Sequence, residues 1–172
     1  KDGRITGLRV DVIADHGAFD STAQPTKFPA GFFHICCGSY DLEASHVKVK
    51  AVYTNKAPGG VAYRCSFRIT EAVYLVERMV DALALEMGAD PIDLRMRSFI
   101  KPEQFPYETT TGWTYDSGNY AEAMRVAMEM ADYEGLRREQ AEKRARGELM
   151  GIGVSFFTEG VGAGPRKHMD IL

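Results

Sequence analysis

The chain has 172 residues, 45% of them hydrophobic and 26% charged, with a formal net charge of −3. That length suits one domain or part of a larger protein, and the charge balance supplies no basic field for nucleic acid or an anionic membrane. No apolar run approaches the roughly 18–20 residues needed to cross a bilayer, and Lys1-Asp2-Gly3-Arg4 does not read as a secretory leader. Three cysteines, two of them adjacent (Cys36 and Cys37), do not make a disulfide framework; a reducing compartment is the expected setting. Lys1-Asp2-Gly3 resembles a hairpin turn without its first strand, and Met169-Asp170-Ile171-Leu172 ends without a polar tail. The expectation is an internal segment of a longer protein.

From Arg4 to Ala14, Leu8, Val10, Val12 and Ala14 alternate with Arg9, Asp11 and Ile13, the period of a strand. Asp15-His16-Gly17-Ala18 leaves it, with His16 expected as a surface or loop histidine because no second ligand stands at metal spacing. Residues 19–38, rich in Gly, Pro and Phe, read as an ordered loop with a short helix. Cys36 and Cys37 read as buried thiols: neighbours in extended chain face opposite ways and do not match zinc spacing. A second strand places Val47, Val49, Ala51 and Tyr53 opposite His46, Lys48, Lys50 and Val52, and Asn55 to Gly60 breaks it.

Helical spacing then links Ile69, Val73, Val76, Val80, Leu83 and Met87, widened by Ala72 and Met79, with Glu77, Arg78, Asp81 and Glu86 off the stripe. Thr70 or Ser66 suits the start and Gly88 the stop. Asp90-Pro91 restarts a helix to about Ser98. A long aromatic loop follows over 99–118, in which Thr109-Thr110-Thr111 suggests extended chain. Ser117-Gly118-Asn119 starts a helix presenting Tyr120, Met124, Ala127, Met128 and Ala131. Glu134 to Arg146 reads as a solvated charged helix with Glu139–Lys143 and Glu142–Arg146 pairs, stopped by Gly147. Met150 to Phe157 reads as a last strand, and the Gly160–Pro165 run as a glycine turn, since no lysine stands at the P-loop position. The fold class is α+β, mixed strands and helices within a larger subunit.

The stretch richest in chemistry joins strand pattern to helix: Gly59-Gly60-Val61-Ala62-Tyr63-Arg64-Cys65-Ser66-Phe67-Arg68. Arg64 and Arg68 favour the thiolate of Cys65 by charge, and the positive end of a following helix adds to that. Gly59 and Gly60 admit close approach of backbone to a ligand. A soft thiolate suits Cu(I) or acts as a nucleophile; a buried structural thiol is the open alternative.

Ala62-Tyr63-Arg64-Cys65-Ser66-Phe67-Arg68 resembles the AYxCSFR active-site signature of the large, molybdenum-binding subunit of form I aerobic carbon monoxide dehydrogenases, within the xanthine oxidase family of molybdenum hydroxylases. Tyr53-Thr54-Asn55-Lys56, Glu71-Ala72-Val73-Tyr74 and Gly162 to His168 extend the resemblance over essentially the whole chain. It implies a segment spanning the end of that subunit's N-terminal part and the start of its C-terminal part, with no independent complete domain.

The resemblance also implies cofactors, Mo-molybdopterin cytosine dinucleotide and Cu(I), with Cys65 as the copper ligand. Arg64 stabilises developing oxyanion charge and contacts the cofactor, Phe67 walls the substrate channel, and Gly59 and Gly60 approach the cofactor. It implies oxidation of carbon monoxide with water to carbon dioxide. Electrons leave through a small subunit carrying 2Fe–2S clusters and a medium FAD subunit to quinone, in a dimer of heterotrimers. The setting it implies is cytoplasmic, with peripheral attachment to the inner membrane face as an option. Two alternatives stand beside it: another molybdenum hydroxylase acting on aldehydes or heterocycles, and a non-catalytic domain with Cys65 buried. The family's catalytic glutamate lies outside this stretch, and Glu71, Glu77 and Glu159 are not candidates for it.

Overall fold

In the computed structural model of the chain, residues 3–19, 32–33, 35–57 and 69–159 are described. Gly7–Asp15 forms β1 and Ala44–Val52 forms β2. They pair in parallel, from Gly7 opposite Ala44 to Asp15 opposite Val52. Parallel neighbours need a crossover, which the chain between them supplies. Val10 and Ala14 of β1 are buried, as the alternation requires. On β2 the alternation holds through Val49, but Ala51 and Tyr53 are exposed.

Residues 32, 33 and 35 are helical and 36–39 form a turn, not extended chain. That turn lets the adjacent Cys36 and Cys37 both enter the core, which opposite-facing side chains on a strand could not do. Gly38 makes it possible: its φ is +60°, and an added Cβ would sit 3.2 Å from Val76 Cγ1 and 3.3 Å from the Tyr40 ring.

Helix α1 runs Ile69–Met87, and Gly88 ends it at φ +63°. Its buried face is Ala72, Val76, Val80 and Ala84. The expected stripe is therefore displaced: Met79, Leu83 and Met87 are 55%, 38% and 47% exposed, and Glu77, expected outside, is only 4% exposed. The cause is a partner from another element. Helix α2, Pro91–Ser98, opens on Asp90, whose carboxylate accepts from the amides of Ile92 and Asp93. It carries Arg95, fully buried, against α1. Arg95 Nε donates to Glu77 Oε2 at 2.9 Å, and Nη2 lies 2.9 Å from Asp81 Oδ1 and donates to Val154 O at 3.1 Å. Glu77 also accepts from Tyr40 Oη and from the Phe156 amide at 2.8 Å.

A two-pair hairpin follows, β3 (Tyr107–Glu108) with β4 (Thr114–Tyr115). Thr110 and Thr111 form its turn, so the threonine run is not extended chain. Thr109 Oγ1 accepts the Trp113 amide at 3.0 Å and stabilises the turn. Helix α3 is Tyr120–Met130, capped by Asn119; Tyr120 and Met124 are buried, whereas Ala127 and Ala131 face outward. Helix α4 is Tyr133–Ala145 and is solvated as its charge pattern predicts. Lys143 pairs with Glu139 at 2.7 Å, but Arg146 turns to Glu148 at 2.9 Å in place of Glu142.

The 150–157 stretch forms no β-ladder with the described residues. It keeps the alternation of a strand, with Ile152, Val154 and Phe156 turned inward. Side chains hold it instead, Gln140 Nε2 donating to Met150 O at 2.9 Å alongside the Arg95 and Glu77 contacts. The glycine run 160–165 lies outside the described residues.

Replacing Arg95 by Met leaves the Glu77 carboxylate buried without its cation. Unfolding in urea is expected to show a loss of about 3–5 kcal/mol, and Arg95→Met with Glu77→Gln together a smaller loss than Arg95→Met alone.

Candidate functional site

The strands end side by side, so the chain leaving β1 meets the chain leaving β2 at one edge. Beyond β1, the Asp15 carboxylate folds back to accept the Gly17 amide at 2.9 Å, an Asx turn. Backbone then zips the two exits together: His16 N to Val52 O at 2.9 Å, Thr54 N to Gly17 O at 2.9 Å, and Ala18 N to Lys56 O at 3.0 Å. Asp15 closes the clamp by accepting from Thr54 Oγ1 at 2.7 Å and pairing with Lys56 Nζ at 3.1 Å. The Gly17 amide, then Thr54 and Lys56, hold its carboxyl at about 2, well below the usual range.

The glycine- and cysteine-bearing loop begins directly after this clamp and ends directly before α1. Gly59, Gly60, Arg64, Cys65 and Phe67, the five residues singled out for cofactor and metal, all lie outside the described residues, as do Tyr63, Ser66 and Arg68. What the structure describes is the anchoring on both sides. The β2 side is clamped by Asp15. The α1 side is set by the ion network through Glu77, two helical turns into α1. Arg68 immediately precedes Ile69, the first residue of α1.

His16 sits in the clamp. It lies in the loop past β1, as expected, but is buried there, and its Nε2 has no hydrogen-bond partner among the described residues. Its ring lies 6.1 Å from that of Tyr53. A buried imidazole nitrogen with one unused bond, at the carboxyl edge of parallel strands, fits a site that receives a polar group. No group of three or more His, Cys, Asp and Glu is arranged to hold a metal among the described residues. Glu71 lies in the first turn of α1 and accepts from Thr70 Oγ1 at 2.8 Å, Glu77 is committed to Arg95, and Glu159 is exposed. None stands as a catalytic base. A cavity of about 600 Å³ lined by Arg4, Asp41, Arg97 and Lys101 opens beyond the other end of β1.

The sequence marks Asp15 only as leaving the strand, and Thr54 and Lys56 as part of the resemblance; it does not show their pairing as a clamp. Asp15-x-Gly17 is a readable Asx-turn signal, but Lys56 gains its role only through the parallel register.

Comparison with known proteins follows the same outline. Residues 1–99 match the molybdopterin cofactor-binding domain family. The chain is 61% identical over 174 residues to the carbon monoxide dehydrogenase large chain of Hydrogenophaga pseudoflava, covering 99% of this chain and 22% of that protein. It is 32% identical to the nicotine 6-hydroxylase large subunit of Paenarthrobacter nicotinovorans, covering 94% of this chain and 20% of that protein. Its fold matches the Cu,Mo-CO dehydrogenase in its carbon monoxide reduced state with a TM-score of 0.87 and 58% identity, over 97% of this chain and 22% of the other. The chain thus spans about a fifth of the length of these relatives.

Replacing Asp15 by Asn should loosen the clamp: amide hydrogen exchange at Ala18 and Thr54 is expected to rise while α1 amides stay protected. The pH dependence has a fixed sign. The folded carboxyl titrates lower than the unfolded one, so its contribution is complete above the unfolded value near 4 and is lost as pH falls through about 2. NMR titration of the Asp15 carboxyl checks the midpoint.

The match over residues 1–99, which include both paired strands and the clamp at their exits, shows the family: this chain belongs to the molybdopterin cofactor-binding domain family.

Proposed function

We propose that the chain is an internal segment of the large subunit of an aerobic molybdenum–copper oxidoreductase that converts carbon monoxide and water to carbon dioxide, two protons and two electrons. The observation that carries this reading is the 61% identity to a carbon monoxide dehydrogenase large chain over nearly the whole chain, with Ala62 to Arg68 intact as Ala-Tyr-Arg-Cys-Ser-Phe-Arg. Identity falls to 32% against the nicotine hydroxylase, which weighs against the aldehyde or heterocycle alternative.

In this reading Cys65 holds Cu(I) through sulfur, a soft ligand for a soft ion. Arg64 faces the cofactor and offers its guanidinium where negative charge builds on oxygen. Phe67 lines the path of the small apolar substrate and excludes water. Gly59 and Gly60, without side chains, let the backbone come close to the cofactor. The cofactor is Mo-molybdopterin cytosine dinucleotide, with most of its contacts and the catalytic glutamate supplied by parts of the subunit beyond residues 1–172. When bound, it supplies two-electron redox chemistry at molybdenum beside copper. Electrons leave through 2Fe–2S clusters on a small subunit and FAD on a medium subunit to quinone, in a cytoplasmic dimer of heterotrimers, with peripheral attachment to the inner membrane face as an option. The anchoring described above supports this assignment: a loop that positions a metal ligand needs both its ends held.

Cys65→Ser in the intact enzyme tests it. Copper, near stoichiometric with molybdenum in the parent, is expected to fall to background and carbon monoxide oxidation to vanish, with molybdopterin retained. Full copper occupancy in the variant overturns the role of Cys65. Rapid labelling of Cys65 by a thiol reagent in copper-free enzyme is expected, and a wholly unreactive thiol favours the buried-thiol reading.

A further inference from the structure

Asp15, Thr54 and Lys56 bond one another across the strand exits. His16 joins them through its backbone, its amide donating to Val52 O at 2.9 Å. Its side chain is 8% exposed, and the imidazole Nε2 is buried with no hydrogen-bond partner among the described residues. A buried polar nitrogen without a partner costs free energy, which a bound group of the right chemistry returns.

The surroundings of the imidazole follow from the strand register. Val10 and Ala14 are buried on one side of β1, and the two-residue period of a strand carries His16 to that same side. Asp15 stands opposite Val52, so the next pair sets Tyr53 opposite His16. Their rings lie 6.1 Å apart and are tilted by 53°. Over β1 this side is closed. Over the end of β2 it is open, because Ala51 is exposed and Tyr53 is 57% exposed. The imidazole therefore lies beside an opening bordered by an aromatic ring, at the carboxyl edge where parallel strands receive ligands.

We propose that His16 is a cofactor-binding residue, its Nε2–H donating to an oxygen of the molybdopterin cofactor at the carboxyl edge of β1 and β2, with the Tyr53 ring beside it. The carbonyl and phosphate oxygens of a pterin cofactor are acceptors, and a neutral imidazole offers one N–H donor to meet them. The backbone bond to Val52 fixes the base of the side chain, so the donor is in place before the ligand arrives and little ordering remains to oppose binding. The inference rests on the molybdenum cofactor of the proposed function, and not on copper or on Cys65.

The intact enzyme, and the same enzyme from cells blocked in molybdopterin synthesis, test this side by side. Cofactor release in mild urea is followed through the fluorescence of its oxidised pterin. His16→Phe keeps a flat ring without the donor and is expected to release the cofactor about tenfold faster than the parent, the weight of one hydrogen bond. Copper per retained molybdenum is expected to stay unchanged. Without cofactor, His16→Phe is expected to melt no lower than the parent, because the acceptor is missing from both. His16→Gln keeps an N–H at nearly the same reach and is expected to release at close to the parental rate, whereas His16→Asn, one methylene shorter, follows His16→Phe. The Gln and Asn variants carry the comparison if His16→Phe does not assemble. Equal release from His16→Phe and parent, or from His16→Gln and His16→Asn, overturns the proposal. So does an equal fall in melting temperature with and without cofactor, which gives the nitrogen a protein partner beyond residues 1–172. A parent enzyme that holds no copper yet shows these release rates sinks the role of Cys65 and supports that of His16.

Discussion

The buried guanidinium of Arg95 holds three pieces of chain in one place. It reaches Glu77 and Asp81 on α1, the Pro91 carbonyl at the start of its own helix at 3.0 Å, and Val154 in the extended segment. Glu77 in turn takes the Tyr40 hydroxyl and the Phe156 amide, so the 36–42 turn joins the same network. Burial and the Glu77 carboxylate push the Tyr40 phenol well above its ordinary value, which keeps it a donor. Taking these charges out of water is costly, and only full mutual satisfaction offsets it. A shift of any one piece would leave a charge unpaired, so the network selects one arrangement of helices and segment more than it adds net stability. Around it, Phe99 stacks on Tyr40 with ring centroids 5.7 Å apart and meets Phe156 at 4.7 Å, closing the apolar side.

The proposed site depends on that rigidity at a distance. The residues proposed to bind metal and cofactor in the Gly59–Arg68 loop are contiguous in sequence, but what holds the chain on either side of them is not. On one side the Asp15 clamp depends on β1 and β2 lying in parallel register. On the other, α1 is oriented by a helix and an extended segment that come later in the chain. The same arrangement explains the tolerance for apolar residues on the surface. Tyr74, Leu85, Met130, Leu149 and Phe157 are all more than half exposed, and the 151–159 stretch alternates like a strand with no ladder partner among the described residues. Surfaces of this kind suit a chain spanning 22% of its relatives, whose remaining length offers cover.

The local devices were legible from the residues alone. The span of α1, its stop at Gly88, the Asp90-Pro91 start of α2, the Asn119 cap, and the solvated α4 all follow from signals within a few residues of where they act. The chemistry of the Gly59–Arg68 loop is equally local, and its likeness to a known signature needs no coordinates. Other features were decided only by tertiary structure. Glu77 is inside because Arg95 reaches it from 18 residues away, and Met79, Leu83 and Met87 are left outside by the same displacement. Thr109 to Thr111 turn because a hairpin closes around them, and 150–157 runs extended because side chains of α1, α2 and α4 hold it where no strand does. Cys37 meets the Thr110 and Thr111 hydroxyls because a hairpin from some 70 residues further along the chain lies against it. Propensity and periodicity report how a residue sits relative to its neighbours in sequence. Whether a charge is paired or a face covered depends on groups brought from elsewhere in the chain, and that only the folded arrangement decides.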